Sequence, residues 1–411
     1  MTMSNLRLCE ARLLGRLEAL GEIGATEEGG VRRLALTEAD KAGRDQVVAW
    51  MEQAGLKVEI VRIGNIFGTR AGRADIAPLM TGSHIDTVAN GGKLDGNLGV
   101  LAGLEVIETL NDAGLQTRRP LVVAIFTNEE GARFQPDMMG SLVHAGGLAP
   151  EDALATADDD GVLLSDALVE IGYAGGLACG AIRPHAFVEL HIEQGPVLER
   201  EGITLGAVES LQGISWTEVR FSGQANHAGT TPMALRRDAG AAAGALAAFV
   251  QQLAREIGGA QVGTVGVIEL QPNIINVVPS SARITVDLRN SDNDLLCKAE
   301  RRLEGFVTDL AQREGLEATC TRLARFDPVR FDPAIARKIA ETAAALGHSC
   351  RPMTSGAGHD AQMMARICPT AMIFTPSIGG VSHNPAEATA PSDLMAGANV
   401  LLHTLLALDE N

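Results

Sequence analysis

The most constraining stretch of this chain is Leu121-Val122-Val123-Ala124-Ile125-Phe126, continuously apolar and stopped at once by Thr127-Asn128-Glu129-Glu130. An alternating strand would leave one face to water. An unbroken apolar run fits a strand covered on both faces, which is the situation in parallel sheets flanked by helices. The same order, an apolar strand and then polar residues, recurs at Pro78 to His84, at Ala186 to His191 and at Ala371 to His383, where Gly379 and Gly380 make the connecting loop. The first 200 residues alternate such runs with helical patterns, so the expected fold class is α/β with a mostly parallel sheet. In open sheets of this kind ligands bind beyond the carboxyl ends of the strands. Several separate segments therefore deliver polar groups to one rim.

After Asp95-Gly96, Asn97 is expected to cap a helix whose Leu98, Leu101, Leu104 and Ile107 form one apolar face. Asp95 then sits beside a helix N-terminus, which favours its ionised form. The segment from Gln212 to Phe326 has a different texture: strands are expected at Ser215 to Phe221, Gln261 to Leu270 and Arg283 to Leu288, and helices at Ala239 to Ile257 and Asp292 to Gly315. Antiparallel strands with two helices on one face make a small α+β layer. The parallel pattern resumes afterwards, so residues 212–326 are expected to be an inserted lid or dimerisation domain, and residues 1–211 and 327–411 one larger domain.

Composition narrows the functions. The net charge of −17 disfavours DNA or an anionic membrane as partner. Aromatic residues make up only 3%, too few for a base-stacking platform. Six scattered cysteines without a CxxC pair suggest neither a thiolate zinc site nor a disulfide framework. Met1 to Arg16 has no uninterrupted apolar stretch, and no run of about 18 apolar residues occurs. A cytoplasmic location is the expectation.

The polar residues at the strand ends are His84 and Asp86, Asp95, Glu129 and Glu130, His191 and His383. Histidine and carboxylate ligands without thiolates suit Zn²⁺, Mn²⁺, Co²⁺ or Ni²⁺. Asp86, two positions after His84, can accept the proton of the distal imidazole nitrogen and so fix the tautomer. Glu129 and Glu130 are adjacent and would point to opposite faces of a regular strand. A backbone turn, which Gly131 makes feasible, lets one bind metal while its neighbour, desolvated, shuttles protons. His144, His185, His348 and His403 sit in no recognisable site.

Gly82-Ser83-His84-Ile85-Asp86-Thr87, Gly91-Gly92-Lys93-Leu94-Asp95-Gly96, Asn128-Glu129-Glu130-Gly131-Ala132-Arg133-Phe134, His191-Ile192-Glu193-Gln194-Gly195-Pro196, His227-Ala228-Gly229-Thr230-Thr231-Pro232-Met233, Ser355-Gly356-Ala357-Gly358-His359-Asp360-Ala361 and Ser382-His383-Asn384-Pro385 together carry a resemblance. In content and order they look like the hydantoinase/carbamoylase branch of the M20 metallopeptidase-like amidohydrolases. The resemblance covers essentially the whole chain. It implies a phosphorylase/hydrolase-like catalytic domain and two divalent metal ions per subunit, zinc foremost, with Mn²⁺, Co²⁺ or Ni²⁺ as alternatives. By the same resemblance His84, Asp95 and His191 bind one metal, and Asp95, Glu130 and His383 the other, with Asp95 bridging. Glu129 matches the general base and Asp86 the partner of His84.

The resemblance also implies roles in the inserted domain. Asn276 and Arg289 match the residues that hold the substrate's α-carboxylate, and a guanidinium forks onto a carboxylate through two parallel hydrogen bonds. His227 resembles a lid histidine that reaches across a homodimer interface to steady an oxyanion. Gln212, Gly358 and His359 are candidates for contacts with the ureido end. The implied activity is hydrolysis of an N-carbamoyl-L-amino acid. Allantoate, a β-ureido acid and ureidoglycolate are the alternatives within the branch, and an exopeptidase or a non-catalytic metal-binding protein lie outside it. His191, where peptidase relatives place a carboxylate, favours the amidohydrolases. No nucleic acid or membrane is expected as partner.

Overall fold

The computed structural model describes residues 5–410; the first four positions of the Met1 to Arg16 stretch, and residue 411 of the expected 327–411 segment, lie outside the described residues. The chain divides into two compact units, one running to Glu209 and again from Phe331, the other Ser210–Arg330.

In the larger unit the apolar run forms the strand Leu121–Phe126, with every residue buried. It pairs in parallel with Leu79–His84, the register setting Leu79 against Leu121 and His84 against Phe126. That register makes His84 and the Thr127 to Glu130 segment leave the sheet at the same end. Ala186–Ile192 lies on the other side of Leu79–His84, and Thr370–Thr375 follows it, Phe374 opposite His191. These four strands are the parallel centre. Antiparallel strands flank these four, Ile66–Arg70 and Lys57–Ile60 on one side and Leu205–Leu211 on the other, where Val329–Arg330 and Cys350–Ser355 both join Leu205–Leu211.

The helices Asn97–Asp112 and Pro391–Asp409 are buried nearly all round, as a helix in the centre of a large α/β layer must be. One expectation is corrected here. Asn97 does not cap its helix; Gly96 occupies the cap position at φ 66° and Asn97 is the first helical residue. The Asn97 side chain is otherwise engaged, donating to the Lys93 carbonyl at 3.0 Å and accepting from Arg33 Nη2 at 2.9 Å. Among the described residues no helix is long and apolar enough to cross a membrane.

The smaller unit is a four-stranded antiparallel sheet in the order Glu317–Phe326, Gly213–Ser222, Ser281–Asn290, Val262–Gln271. Alternate residues of Ser281–Asn290 are buried; Ala282, Ile284, Val286 and Leu288 pack against Leu246, Val250, Leu253, Leu303 and Val307 of the helices Ala239–Ile257 and Asn293–Glu314. Each of these valine, leucine and isoleucine side chains contributes roughly 1.5–3 kcal/mol by leaving water. Asp238 and Asp292 cap the two helices, each accepting from two backbone N–H groups. Its limits, 210 and 330, fall two residues before and four residues after the 212 and 326 expected from the sequence.

Candidate metal centre

Three of the parallel strands and two loops bring the polar residues of the larger unit together. His84 ends one strand and His191 is the penultimate residue of its neighbour. Asp95 approaches from the loop before the helix Asn97–Asp112, and the turn there depends on Gly96: at φ 66° a side chain is strained, and a Cβ would lie 2.5 Å from the His84 ring. Asp95 Oδ1 is 3.5 Å from His84 Nε2 and 3.1 Å from His191 Nε2, while Oδ2 is 3.3 Å from His383 Nε2. His383 Nε2 is also 3.3 Å from Glu130 Oε2. These donors form two groups, His84 with Asp95 and His191, and Asp95 with Glu130 and His383, each lying within 4.8 Å; a third such group, Glu189 with His191 and His359, shares His191. Ligands about 2.0–2.1 Å from a tetrahedral ion are about 3.3–3.4 Å from one another. The spacing therefore fits a divalent cation in each of the two groups around Asp95.

The imidazoles are turned correctly for this. His84 Nδ1 is 2.9 Å from the Asp86 carbonyl and His191 Nδ1 is 2.9 Å from the Ile192 carbonyl. An acceptor at Nδ1 demands the proton there and leaves the lone pair on Nε2, facing Asp95. The role expected of the Asp86 side chain is corrected. Its nearer oxygen is 4.0 Å from His84 Nδ1, beyond hydrogen-bonding distance. The carboxylate instead accepts from the backbone N–H groups of Glu129 and Glu130, both at 3.3 Å. Asp86 thus holds the two glutamates as well as supplying, through its carbonyl, the tautomer of His84.

Glu129 and Glu130 both reach the centre because the chain bends at Asn128, which takes the left-handed conformation at φ 57°, with Gly131 at φ 62° just after. Glu129 Oε2 stands 3.4 Å from His84 Nε2. Among the protein's own groups the electrostatics are lopsided. Burial would raise the Asp95 carboxyl, yet hydrogen bonding to His191, His383 and His84 holds it well below the usual carboxylate range. Burial and then Asp95 push Glu130 up to about 8. Burial, aided by Asp360, Glu130 and Asp95, raises Glu129 well above the ordinary value. The hydrogen bond to Asp95, opposed by burial and helped by Glu130, lifts His383 to about 9. Burial would lower His84, but Glu129 and Asp95 outweigh it and raise the ring well above its usual pKa. Such a knot of buried like charges is relieved by protons or by cations, and buried carboxylates commonly pair or coordinate metal.

Sequence reasoning gave no role to two neighbours, Gln194 and Glu189. Gln194 Nε2 donates to Asp95 Oδ2 at 2.9 Å and stands 3.4 Å from His383 Nε2; the only signal was its place three residues after His191. Glu189, buried, accepts from Ser83 Oγ at 2.7 Å and from the Ala361 N–H at 2.8 Å. His359 lies edge-on to His191, ring centres 4.5 Å apart, with Nε2 3.0 Å from Ser355 Oγ. Burial, with His191 adding to it, takes the His359 pKa well below normal. Gly358 packs against Met138, and a Cβ there would fall 2.9 Å from the methionine methyl.

The remaining candidates belong to the smaller unit. His227 is exposed and pairs with Val277 on a two-residue ladder. Its Nδ1 accepts from the N–H groups of Gly229 at 3.0 Å and Thr230 at 3.2 Å, so in the neutral ring the proton is on Nε2 and points away from the loop. Asn276 is exposed, and its carbonyl accepts from the Ala228 N–H at 2.9 Å. Arg289 forks onto Asp287, two residues earlier on the same face, at 2.9–3.2 Å. Gln212 Nε2 donates to the Ala260 carbonyl at 3.2 Å.

The chain is similar to known proteins along nearly its whole length. Residues 80–407 match the family model described as peptidase family M20/M25/M40. The chain is 42% identical over 407 residues to an N-carbamoyl-L-amino-acid amidohydrolase of Rhizobium meliloti, covering 99% of this chain and 98% of the relative. It is 36% identical to an allantoate amidohydrolase of Bacillus subtilis over 95% of this chain and 96% of that one. Among solved structures, an amidase of the hydantoinase/carbamoylase family from Burkholderia multivorans superimposes with a TM-score of 0.95 at 45% identity, covering 98% of each chain.

Proposed function

The chain belongs to peptidase family M20/M25/M40, in its hydantoinase/carbamoylase branch, and from that premise we propose that it is an amidohydrolase cleaving the ureido C–N bond of an N-carbamoyl-L-amino acid. The products are the amino acid, ammonia and carbon dioxide. The observation that carries the reading is Asp95, each oxygen of which faces its own set of donors, His84 and His191 on one side and His383 on the other. The similarity to the Rhizobium meliloti enzyme supports the substrate class.

A ureido carbonyl is a poor electrophile because both nitrogens donate into it. Divalent cations held by His84, Asp95 and His191 and by Asp95, Glu130 and His383, zinc foremost and Mn²⁺, Co²⁺ or Ni²⁺ as alternatives, would polarise that carbonyl and acidify a water. Glu129, its Oε2 3.4 Å from His84 Nε2, takes the proton of the attacking water and passes it to the departing nitrogen. Asp86 keeps Glu129 and Glu130 in place through their N–H groups. His227, supplied by a second copy in a homodimer built through the inserted domain, donates from Nε2–H to the developing oxyanion. Asn276 and Arg289 hold the α-carboxylate, and Gln212, Gly358 and His359 shape the ureido end of the site. The enzyme is placed in the cytoplasm.

Allantoate is the second reading, favoured by the Bacillus subtilis relative and by the stretches Arg236-Arg237-Asp238 and Pro376-Ser377-Ile378. Against it, Leu211-Gln212-Gly213-Ile214-Ser215-Trp216 contains no basic residue, and its apolar Ile214 and Trp216 suit a carbamoyl amino acid better than a diureido acid. Ammonia release from N-carbamoyl-L-methionine, from allantoate and from a dipeptide panel distinguishes the readings. The carbamoyl amino acid should give the highest kcat/KM. No ammonia from any ureido compound in the metal-loaded protein would overturn the proposal.

A further inference from the structure

Behind the metal centre stands a carboxylate that none of the roles above uses. Glu387 lies four residues beyond His383 and is almost wholly buried. Its Oε1 accepts from the N–H groups of Leu94 and Asp95, both at 3.1 Å, and its Oε2 accepts from Ser382 Oγ at 2.9 Å. The same hydroxyl is 3.4 Å from Asp95 Oδ2. A further backbone bond, Glu387 N–H to the Asn384 carbonyl at 3.0 Å, closes the turn that directly follows His383.

Two consecutive N–H groups converging on one oxygen fix the peptide plane between Leu94 and Asp95. That plane sets the direction in which the Asp95 side chain leaves the backbone. The other oxygen grips the residue next to His383. One side chain therefore joins the loop of the shared aspartate to the loop of the last histidine, segments nearly 290 residues apart (383 against 95). Residue 92 makes room for this: a Cβ on Gly92 would fall 2.1 Å from Glu387 Oε1. A second buried carboxylate beside Asp95 is electrostatically costly, and three hydrogen bonds offset that cost.

We propose that Glu387 is a positioning residue that aims both oxygens of Asp95 and the His383 loop, so that the two groups of ligands are assembled together. The inference rests on the two-metal reading of the centre.

The test is Co²⁺ titration of the wild type, Glu387→Ala, Glu387→Gln and Gly92→Ala, followed by visible absorption and equilibrium dialysis, with far-ultraviolet circular dichroism to establish folding. Glu387→Ala should weaken Co²⁺ binding by about 10–100-fold, the usual cost of losing a group that orients metal ligands, and should alter the absorption of the bound ions. Gly92→Ala, which displaces the carboxylate without removing it, should reproduce both changes if the alanine variant fails to fold. Glu387→Gln keeps an oxygen for the two N–H groups and can donate its amide to Ser382, so it should recover affinity to within about tenfold of the wild type. Wild-type affinity and spectrum in a folded Glu387→Ala or Gly92→Ala would overturn the proposal alone. Absence of Co²⁺ uptake by the wild type would overturn the two-metal reading and this proposal with it.

Discussion

His84, Asp95 and His191 of the larger unit are 1–4% exposed, whereas His227 and Asn276 of the smaller unit stand in solvent. The first set is held by many bonds. The Asp86 carboxylate takes two N–H groups, Glu387 takes two N–H groups and a hydroxyl, and Glu189 takes a hydroxyl and an N–H. The second set hangs from a sheet whose stability comes from an ordinary aliphatic core, and the His227 side chain is oriented by two backbone N–H groups. The difference follows from what each must bear. Buried like charges need fixed dipoles around them, while residues that meet a passing substrate need only be aimed. Damage to the larger unit should therefore cost metal or turnover, while damage to the smaller should leave the metal in place and act on substrate affinity or, at His227, on turnover.

The largest effect should come from the ligands themselves. His191→Ala and His383→Ala should lose bound metal, read by elemental analysis after dialysis, and lose activity with it; full metal content in either would remove that residue from the centre. Glu129→Gln should keep the metal and reduce kcat by about 10²–10⁴-fold, and equal turnover would reassign the base. Arg289→Ala, in the smaller unit, should raise KM with little change in kcat, about 10–100-fold in kcat/KM for a lost charged hydrogen bond. Unchanged apparent affinity would show that the carboxylate is held elsewhere, and lost metal would erase the contrast between the units.

A buried histidine outside the centre should act on stability rather than on catalysis. Burial, with Arg183 assisting against the hydrogen bond to Ile182, lowers His144 to about 4. The unfolded ring titrates near 6.5, so between those values the unfolded chain binds the extra proton. Stability from this group is complete above pH 6.5, falls as the pH drops, and stops falling below about 4. The full change is about 3 kcal/mol. His144→Gln, which can still donate to the Ile182 carbonyl, should flatten the fall in urea unfolding between pH 7 and pH 4; an unchanged slope would contradict it.

Much of the centre was legible because a parallel strand buried on both faces reads as a plain apolar run, so the residues that interrupt it are conspicuous. His84, Glu129, Glu130 and His191 stand out in that way, and the structure sets them at one end of the sheet. What was not legible acts through the backbone or across long separations. Nothing local in the sequence shows that the Asp86 carboxylate turns to two N–H groups, or that Glu387 reaches Asp95. The close approach of residue 96 to the His84 ring, which leaves no room for a Cβ there, is equally invisible locally, and Gly96 holds the cap position expected of Asn97. The strand Glu317–Phe326 escaped notice because most of its residues face water, which leaves no clean apolar alternation.

The most direct test of the account is anomalous scattering from crystals loaded with a divalent metal. It predicts two ions on either side of Asp95, one beside His84 and His191, the other beside Glu130 and His383. A map with no ion next to Asp95, or with a single ion that leaves one of its oxygens unbound, would contradict it.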